Sequence, residues 1–388
     1  MTRFQIDVLT RPEEFVALRG EWTELLDDSA ANTLFLTWEW LHTWWTHLGG
    51  DRRLSLITVR SAGRLLAIAP LAQQSWRPSA LQFVPQLELL GSGDVGSDYL
   101  DLIVRRGAEP AVAAALGEEL VARRALVQLP QLANGHSVAA GVASLLQRRG
   151  WQLRIARTDV CPYIALEGHT FDSYLATLGS SHRYNFRRRL RQLQRGFDVQ
   201  FRCITTEEDR REALATLVSL HNGRWTPRGG STAFYEPDLL AFHDELGRLT
   251  LDRGWLRLFV LSLDGRPAAA LYGFAYRGKF YFYQAGFDPA CSRYSVGLVT
   301  MGLSIEQAVA EGLSEYDLLH GDEQYKFLWA RASHAIAGIE LYPPSMLGAL
   351  SRASTQVYRA ARALGRRAFS GHPETSHGEP DLVVPSSR

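Results

Sequence analysis

Lysine is nearly absent from this chain of 388 residues: of its 42 Lys+Arg residues only Lys279 and Lys326 are lysine, so arginine fills almost every cationic position. Cysteine is scarce as well. Cys161, Cys203 and Cys291 are odd in number and far apart, which excludes a disulfide framework and leaves no pair at metal-ligand or redox spacing. No apolar run approaches the ~20 residues of a membrane span. The N-terminal MTRFQIDVLTRPEEF alternates polar and apolar residues and lacks the apolar centre of a signal peptide. Together these absences predict a cytoplasmic protein with reduced thiols. Net charge is +1, so no global field draws nucleic acid or membrane to the surface. Neither the His42/His47 pair nor His372/His377 has a carboxylate or thiol at ligand spacing, so no metal is expected. What is present, 46% hydrophobic and 21% charged residues, describes an ordinary globular chain of about two domains.

Against that background the run His320-Gly321-Asp322-Glu323-Gln324-Tyr325-Lys326-Phe327 stands out. It follows an apolar stretch that reads as a buried strand and gathers carboxylates, an imidazole, a phenol and an ammonium into one turn. Unlike arginine, lysine is a compact charge whose pKa moves readily on burial. The alternative is a solvated surface turn, the usual fate of charge-rich loops.

Two segments share a layout. LSLITVRSAGRLLAIAPLAQQ (residues 54–74) and LRLFVLSLDGRPAAALYGFAY (residues 256–276) each place a turn with Gly-Arg between apolar runs, and both predict β-hairpins. Each follows a tryptophan-bearing region closed by Gly-Gly: Trp38, Trp40, Trp44, Trp45 and Gly49-Gly50 in the first, His221-Asn222-Gly223-Arg224-Trp225 and Gly229-Gly230 in the second. A repeat of about 200 residues implies two copies of one domain. In the second copy residues 279–285 (KFYFYQA) read as a strand, 286–294 as a loop, 295–312 as an amphipathic helix with Ser295 as N-cap, and 315–319 as a short strand. A meander followed by a β-α-β crossover is an α+β signature. Between the copies, residues 180–195 (SSHRYNFRRRLRQLQR) form a helix with an apolar stripe and six arginines. It is either a solvated face or an anion-binding face for phosphate or tRNA. The expected boundaries are 1–155, 156–345, a C-terminal helix at 346–369 and a disordered tail at 370–388.

The succession Gly286 to Gly297 (G-F-D-P-x-x-S-R-Y-S-V-G), the helix after it, Tyr316-Asp317-Leu318-Leu319 and Gly321 to Lys326 (G-D-E-x-Y-K) resembles GNAT-fold acyltransferases of the CelD/BcsL type. Phe35 to Trp40 and Ser181 to Leu190 are similar to the same family, which lies close to the FemAB-like aminoacyltransferases with two GNAT domains in tandem. The likeness covers about residues 5–345. It implies tandem duplicated GNAT domains, mixed sheets flanked by helices, and acetyl-CoA or another acyl-CoA as co-substrate. The backbone near Gln284 and Ala285 would then stabilise the oxyanion. The amides of Ser295, Val296, Gly297 and Leu298, with Arg293, would hold pyrophosphate at a helix N-terminus. The chain departs from the general GNAT pattern in keeping a single, displaced glycine, Gly297.

Transfer from a thioester needs a base, an oxyanion donor and an acid for the leaving thiolate. Asp322 or Glu323, ahead of His320, are the candidate bases, and Tyr325 is the candidate acid. Lys326 would hold a substrate anion or lower the pKa of Tyr325. Arg224 and Trp225 would grip a sugar or carboxylate, and Trp44 and Trp45 would shape the acceptor side from the first copy. The expected activity is N- or O-acylation of a sugar or cell-envelope (exopolysaccharide) precursor by a monomer. The alternatives are an aminoacyl-tRNA-dependent aminoacyltransferase and a non-catalytic regulator of polysaccharide assembly.

Overall fold

A computed structural model describes residues 4–75, 83–93, 95–133, 137–225, 234 and 236–369, without the side chains of 157, 224, 225 and 361–369. The chain divides into two compact units. The first holds Met1–Asp159 and takes up the chain again from Ala335, and the second holds Val160–His334.

In the first unit β1 (Gln5–Leu9) leads into α1 (Pro12–Ala17), α2 (Arg19–Asp27) and α3 (Trp38–Leu48). Then come β2 (Arg53–Ser61), β3 (Arg64–Gln73), β4 (Gln86–Leu89), β5 (Ile103–Val104), α4 (Glu109–Arg123), β6 (Leu126–Ala133) and α5 (Val138–Arg148). Strand β7 (Gln152–Ala165) carries the chain into the second unit. There it forms α6 (Phe171–Thr177), α7 (Ser180–Gly196), β8 (Val199–Cys203), α8 (Glu207–Trp225), α9 (Pro237–Asp252), β9 (Leu256–Leu263) and β10 (Arg266–Tyr276). Strand β11 (Lys279–Phe287), α10 (Val296–Ala310), β12 (Glu315–Asp317) and α11 (Gln324–Trp329) follow. Strand β13 (Ala332–Tyr342) carries the chain back, and α12 (Met346–Phe369) follows it.

The two units repeat one plan, a mixed sheet with flanking helices. Strands β1, β2, β3 and β4 pair antiparallel in order, and β4 pairs parallel with β6 across α4. Strands β8, β9, β10 and β11 do the same, and β11 pairs parallel with β12 across α10. The predicted hairpins form around Ala62-Gly63 and Asp264-Gly265, with a third at Arg277-Gly278. All six residues have positive φ (48° and 80°, 50° and 74°, 47° and 78°), the geometry of the two-residue turns that match strand twist.

Each unit then receives its next strand from the other copy. Strand β6 pairs antiparallel with β13, from Ile336↔Ala133 to Leu341↔Val127. Strand β12 pairs antiparallel with β7, from Glu315↔Ala165 to Asp317↔Tyr163. The expected domain of residues 156–345 is therefore not one body: from Ala335 onward the chain belongs to the first unit. The expected tail at 370–388 lies outside the described residues.

In the second unit α8 and α9 cover one sheet face and α10 the other. The α10 side is a core built from Phe186 of α7, Leu271, Phe280, Phe282, Leu298, Met301, Ile305, Tyr316 and Trp329. Helix α7 seats its apolar stripe here: Phe186 lies against Gly302 of α10, where a Cβ would collide with the ring. That contact explains a glycine in a helix interior, where it is otherwise unfavourable.

Candidate active site

The parallel pairing of β11 with β12 lasts three residues, Lys279↔Glu315, Phe280↔Tyr316 and Tyr281↔Asp317. Beyond Asp317 the chain stays beside β7, with Leu318 N–H donating to the Pro162 carbonyl (2.9 Å) and Gly321 N–H to Val160 (3.0 Å). Strand β11 runs on to Phe287 paired with β10 but no longer with β12. Against β10 it skips a residue between Phe282 and Gln284, so Tyr283 is bulged. The two parallel strands thus part at Tyr281 and Asp317, and a gap opens along β11.

At the far end of β11 a 3₁₀ turn, Pro289–Tyr294, leads to the start of α10. Ser295 holds the N-cap position, but in a left-handed conformation (φ 57°) with no side-chain cap bond, unlike the expected hydroxyl cap. The amides of Val296, Gly297 and Leu298 belong to the first turn, which a helix cannot satisfy internally. Arg293 is exposed, and its carbonyl accepts from Arg189 of α7 (3.0 Å), so the arginine-rich helix borders this turn. Arg187, Arg188, Arg191 and Arg195 of α7 are exposed.

The expected oxyanion donor is occupied. The Ala285 N–H donates to Oε1 of its neighbour Gln284 (3.0 Å). On the α8 face the Ala285 carbonyl contacts His221 Nδ1 at 3.3 Å. A carbonyl only accepts, so Nδ1 is the donor in this contact. His221 is 2% exposed. Helix α8 comes this close because position 286 is glycine, where a Cβ would sit 2.6 Å from the His221 backbone nitrogen.

Next to His221 lies an aromatic and polar cluster: the buried Phe234, His243 of α9 and Tyr272 of β10, with the half-buried, bulged Tyr283. Ring centroids are 5.2 Å apart for His221–Phe234, Phe234–His243 and His243–Tyr283, and 5.6 Å for Tyr272–Tyr283. His243 Nδ1 and the Tyr272 hydroxyl are buried and find no hydrogen-bond partner among the described residues. Burial pushes His243 down to about 3 and holds the Tyr272 phenol neutral well above its usual range. Buried polar atoms without partners are rare in folded proteins.

The turn singled out in the sequence has a firm internal structure. Lys326 is 4% exposed, and Nζ donates to the carbonyls of His320 (2.6 Å) and Leu319 (3.3 Å) and pairs with Glu323 (2.9 Å). The ammonium therefore faces its own turn and not an incoming anion. Gly321 has φ 126°, a conformation that strains any side chain, and a Cβ there would also crowd the ends of Glu323 and Lys326. The expected strand 315–319 ends at Asp317, and residues 324–329 are helix α11 with Glu323 at its N-cap position, so the turn is shorter than expected. Asp322 is exposed, His320 is half-buried, and Tyr325 packs half-buried on the α10-side core.

On the other sheet face Glu315, Asp317 and His334 bring ligand atoms within 4.8 Å of one another, a trio the sequence spacing hides. Burial works to raise the Glu315 carboxyl, but its bonds with His334 (3.3 Å) and Lys279 (3.0 Å) outweigh this and hold it below its usual value. Lys279 already supplies the positive charge there. Arg224 and Trp225 end α8, and their side chains lie outside the described set.

In the first unit Trp44 is not a binding surface as expected. It is 1% exposed, and its indole N–H is engaged by the Ser92 carbonyl (3.2 Å); Trp45 is half-buried. Asp101 accepts from Leu102, Val138, Ala139 and Ser137 and so holds the start of α5. Burial still pushes it up to about 6. The first unit's counterpart of the turn is thus built for structure.

Two antiparallel strands, a bulged third, a helix whose first amides face outward and a parting fourth strand are the arrangement of a GNAT-type fold, and the chain is a transferase. Residues 180–327 match the model of the acetyltransferase (GNAT) domain, a span from the first residue of α7 to the end of the Lys326 turn. No curated protein sequence matches the chain. Among solved structures, FemX is similar at TM-score 0.59 and 11% identity, over 87% of this chain and 96% of that one. A conserved protein of unknown function from Bacteroides thetaiotaomicron aligns at TM-score 0.53 and 13% identity, over 88% and 100%. L-PGS from Bacillus licheniformis aligns at TM-score 0.51 and 12% identity, over 90% and 97%.

Proposed function

We propose that the protein is an acyl-CoA-dependent acyltransferase that acylates an amine or hydroxyl of a sugar or cell-envelope precursor, in the manner of the CelD/BcsL type. The observation that carries this reading is the parting of β11 from β12 just ahead of the amide-bearing start of α10. Acyl-CoA, when bound, supplies the activated thioester. Arg293 and the amides of Val296, Gly297 and Leu298 are the groups that would hold its pyrophosphate; the Ser295 amide, expected to join them, already donates to the Ser292 carbonyl (2.9 Å). The carboxamide oxygen of Gln284 occupies the Ala285 amide (3.0 Å) and would have to leave it for that amide to stabilise the oxyanion.

Among the bases, Glu323 is tied to Lys326 and Asp322 points to solvent. His221, in contact through Nδ1 with the Ala285 carbonyl, would take the acceptor proton in this reading. Tyr325 returns a proton to the departing thiolate. The cluster of Phe234, His243, Tyr272 and Tyr283 suits a sugar, with aromatic rings for its C–H faces and two unpartnered polar atoms for its hydroxyls.

Thiol release from acetyl-CoA and longer acyl-CoAs, assayed with amino-sugar acceptors, tests the assignment. His221→Ala should lower kcat by ~10²–10⁴ and leave the acyl-CoA KM within about twofold. Unchanged turnover would remove His221 from the mechanism. Acyl-CoA at about a hundred times its Kd should stabilise the protein by ~2.7 kcal/mol, and no thermal shift with any acyl-CoA would reject the donor.

The second reading is transfer from aminoacyl-tRNA. The exposed arginines of α7 beside the α10 turn favour it, as do the FemAB-like sequence motifs. Binding of tRNA that collapses between 50 and 200 mM salt would support it.

A further inference from the structure

Two residues beyond Tyr281↔Asp317 the parallel register would set Tyr283 against Leu319, and both strands are irregular there. Tyr283 is the bulged residue of β11. Leu319 has φ 56°, a left-handed conformation that a bulky side chain rarely adopts. From the Leu318 amide to the Gly321 amide the chain takes three residues where β7, from Pro162 to Val160, takes two, so it is bulged at Leu319. Backbone in such a conformation persists only where its surroundings hold it.

Two side chains do so. Successive residues of a strand turn their N–H and C=O to opposite sides. The Leu318 N–H faces β7, so in a continued strand the polar groups of Leu319 would face β11 and close the gap. Neither group is free to do so. The Leu319 N–H donates to Oδ1 of the buried Asp317 (2.8 Å), and the Leu319 carbonyl accepts from Lys326 Nζ (3.3 Å). Nζ also takes the next carbonyl, that of His320 (2.6 Å), and Glu323 holds the ammonium in place (2.9 Å).

The first copy meets the same need differently. Its parallel pairing also lasts three residues, Gln86↔Leu126 to Glu88↔Gln128, and β6 also takes three residues, Leu129 to Leu132, where β13 takes two. Gln131, inside that bulge, has φ 54°. Its carbonyl accepts from the Leu100 amide (3.1 Å), and the Leu100 side chain stands 3.3 Å from where a Cβ of Gly91 would be, two residues past β4. There the chain itself fills the space between the parted strands. In the second copy the corresponding carbonyl is satisfied by a side chain of its own turn.

We infer that Asp317 and Lys326 are positioning residues of the donor site: by occupying the backbone groups of Leu319 they keep the chain after β12 from zipping onto β11. The inference rests on the reading of that gap as the place of the acyl thioester. Peptide-resolved hydrogen exchange and steady-state kinetics on the full chain test it. Lys326→Met should slow exchange within residues 282–287 by roughly tenfold, as β11 gains a partner. It should also raise the acetyl-CoA KM by roughly tenfold with kcat within about threefold, since the ammonium touches no reacting atom. Lys326→Arg, which keeps the charge but not its compact shape, should behave like the Met variant. Asp317→Asn keeps an acceptor for the Leu319 amide and should stay within about twofold of wild type. Asp317→Ala should reproduce Lys326→Met, and it carries the same readouts if that variant does not fold. A fall in kcat with KM and exchange unchanged would overturn the inference in favour of a chemical role for the ammonium. A lower melting temperature with exchange and KM unchanged would overturn it in favour of a purely structural one. Wild type that binds no acyl-CoA would end the donor reading, while the exchange comparison would still decide what holds the strands apart.

Discussion

Lys326 reads in the sequence as a chemical choice, because so few lysines survive in an arginine-rich chain. Its surroundings make the choice mechanical. A compact ammonium reaches two carbonyls and a carboxylate inside one tight turn, where a planar guanidinium would not fit. His221 shows the converse. It lies in the sequence beside Arg224 and Trp225, residues that drew attention for their charge and ring, and nothing local marks it as the more interesting neighbour. Only the approach of α8 to β11 does that. His243 is more hidden still, a lone histidine in a helical pattern. Its titration can nonetheless be predicted. Buried and held down at about 3, it must stay neutral in the fold, whereas it accepts a proton near 6.5 when unfolded. The unfolded state therefore binds more protons below pH 6.5. Stability from this group is complete above that value and declines by up to about 1.4 kcal/mol per pH unit as pH falls toward 3. Thermal unfolding of His243→Gln should show a shallower pH slope than wild type between pH 6.5 and 4. Parallel curves would mean that His243 protonates freely in the folded protein.

At the scale of elements, hairpins and amphipathic helices were legible because their signals are local: alternation, Gly-containing turns and the 3.6-residue period. The bulge at Tyr283 was not, since it exists only in the register of β11 against β10. Two glycines illustrate the difference. Gly297, in the resemblance motif, has only the Phe287 ring 3.5 Å from a Cβ, an ordinary contact. Gly286, at the head of the same motif, has the His221 backbone at 2.6 Å. Gly297→Ala should be neutral or stabilising by up to about 1 kcal/mol through helix propensity. Gly286→Ala should destabilise by about 1–3 kcal/mol and, by pushing α8 off β11, cut kcat more than tenfold. Calorimetry and steady-state kinetics on the pair check this. Equal behaviour of the two variants would sink the claim that the α8–β11 approach builds the site.

At the scale of the molecule the duplication was visible and the boundary was not, because strand pairing across some 200 residues leaves no mark on composition. Residues 336–341 carry the alternation of any sheet strand, and nothing in them names β6 as their partner. A fragment ending at 155 leaves β6 with an open edge, and a fragment of 156–345 carries β13 away from its partner. Neither should show the cooperative unfolding of the full chain in a thermal melt. A sharp transition in either, within a few degrees of the intact protein, would mean that the exchanged strands are dispensable. The exchange also imposes an order of events at the ribosome. The N-terminal half cannot close its sheet when its own last helix emerges. It must wait, edge exposed, through the synthesis of nearly 200 further residues until the segment ending at Tyr342 is released. A protein arranged this way matures all at once and late.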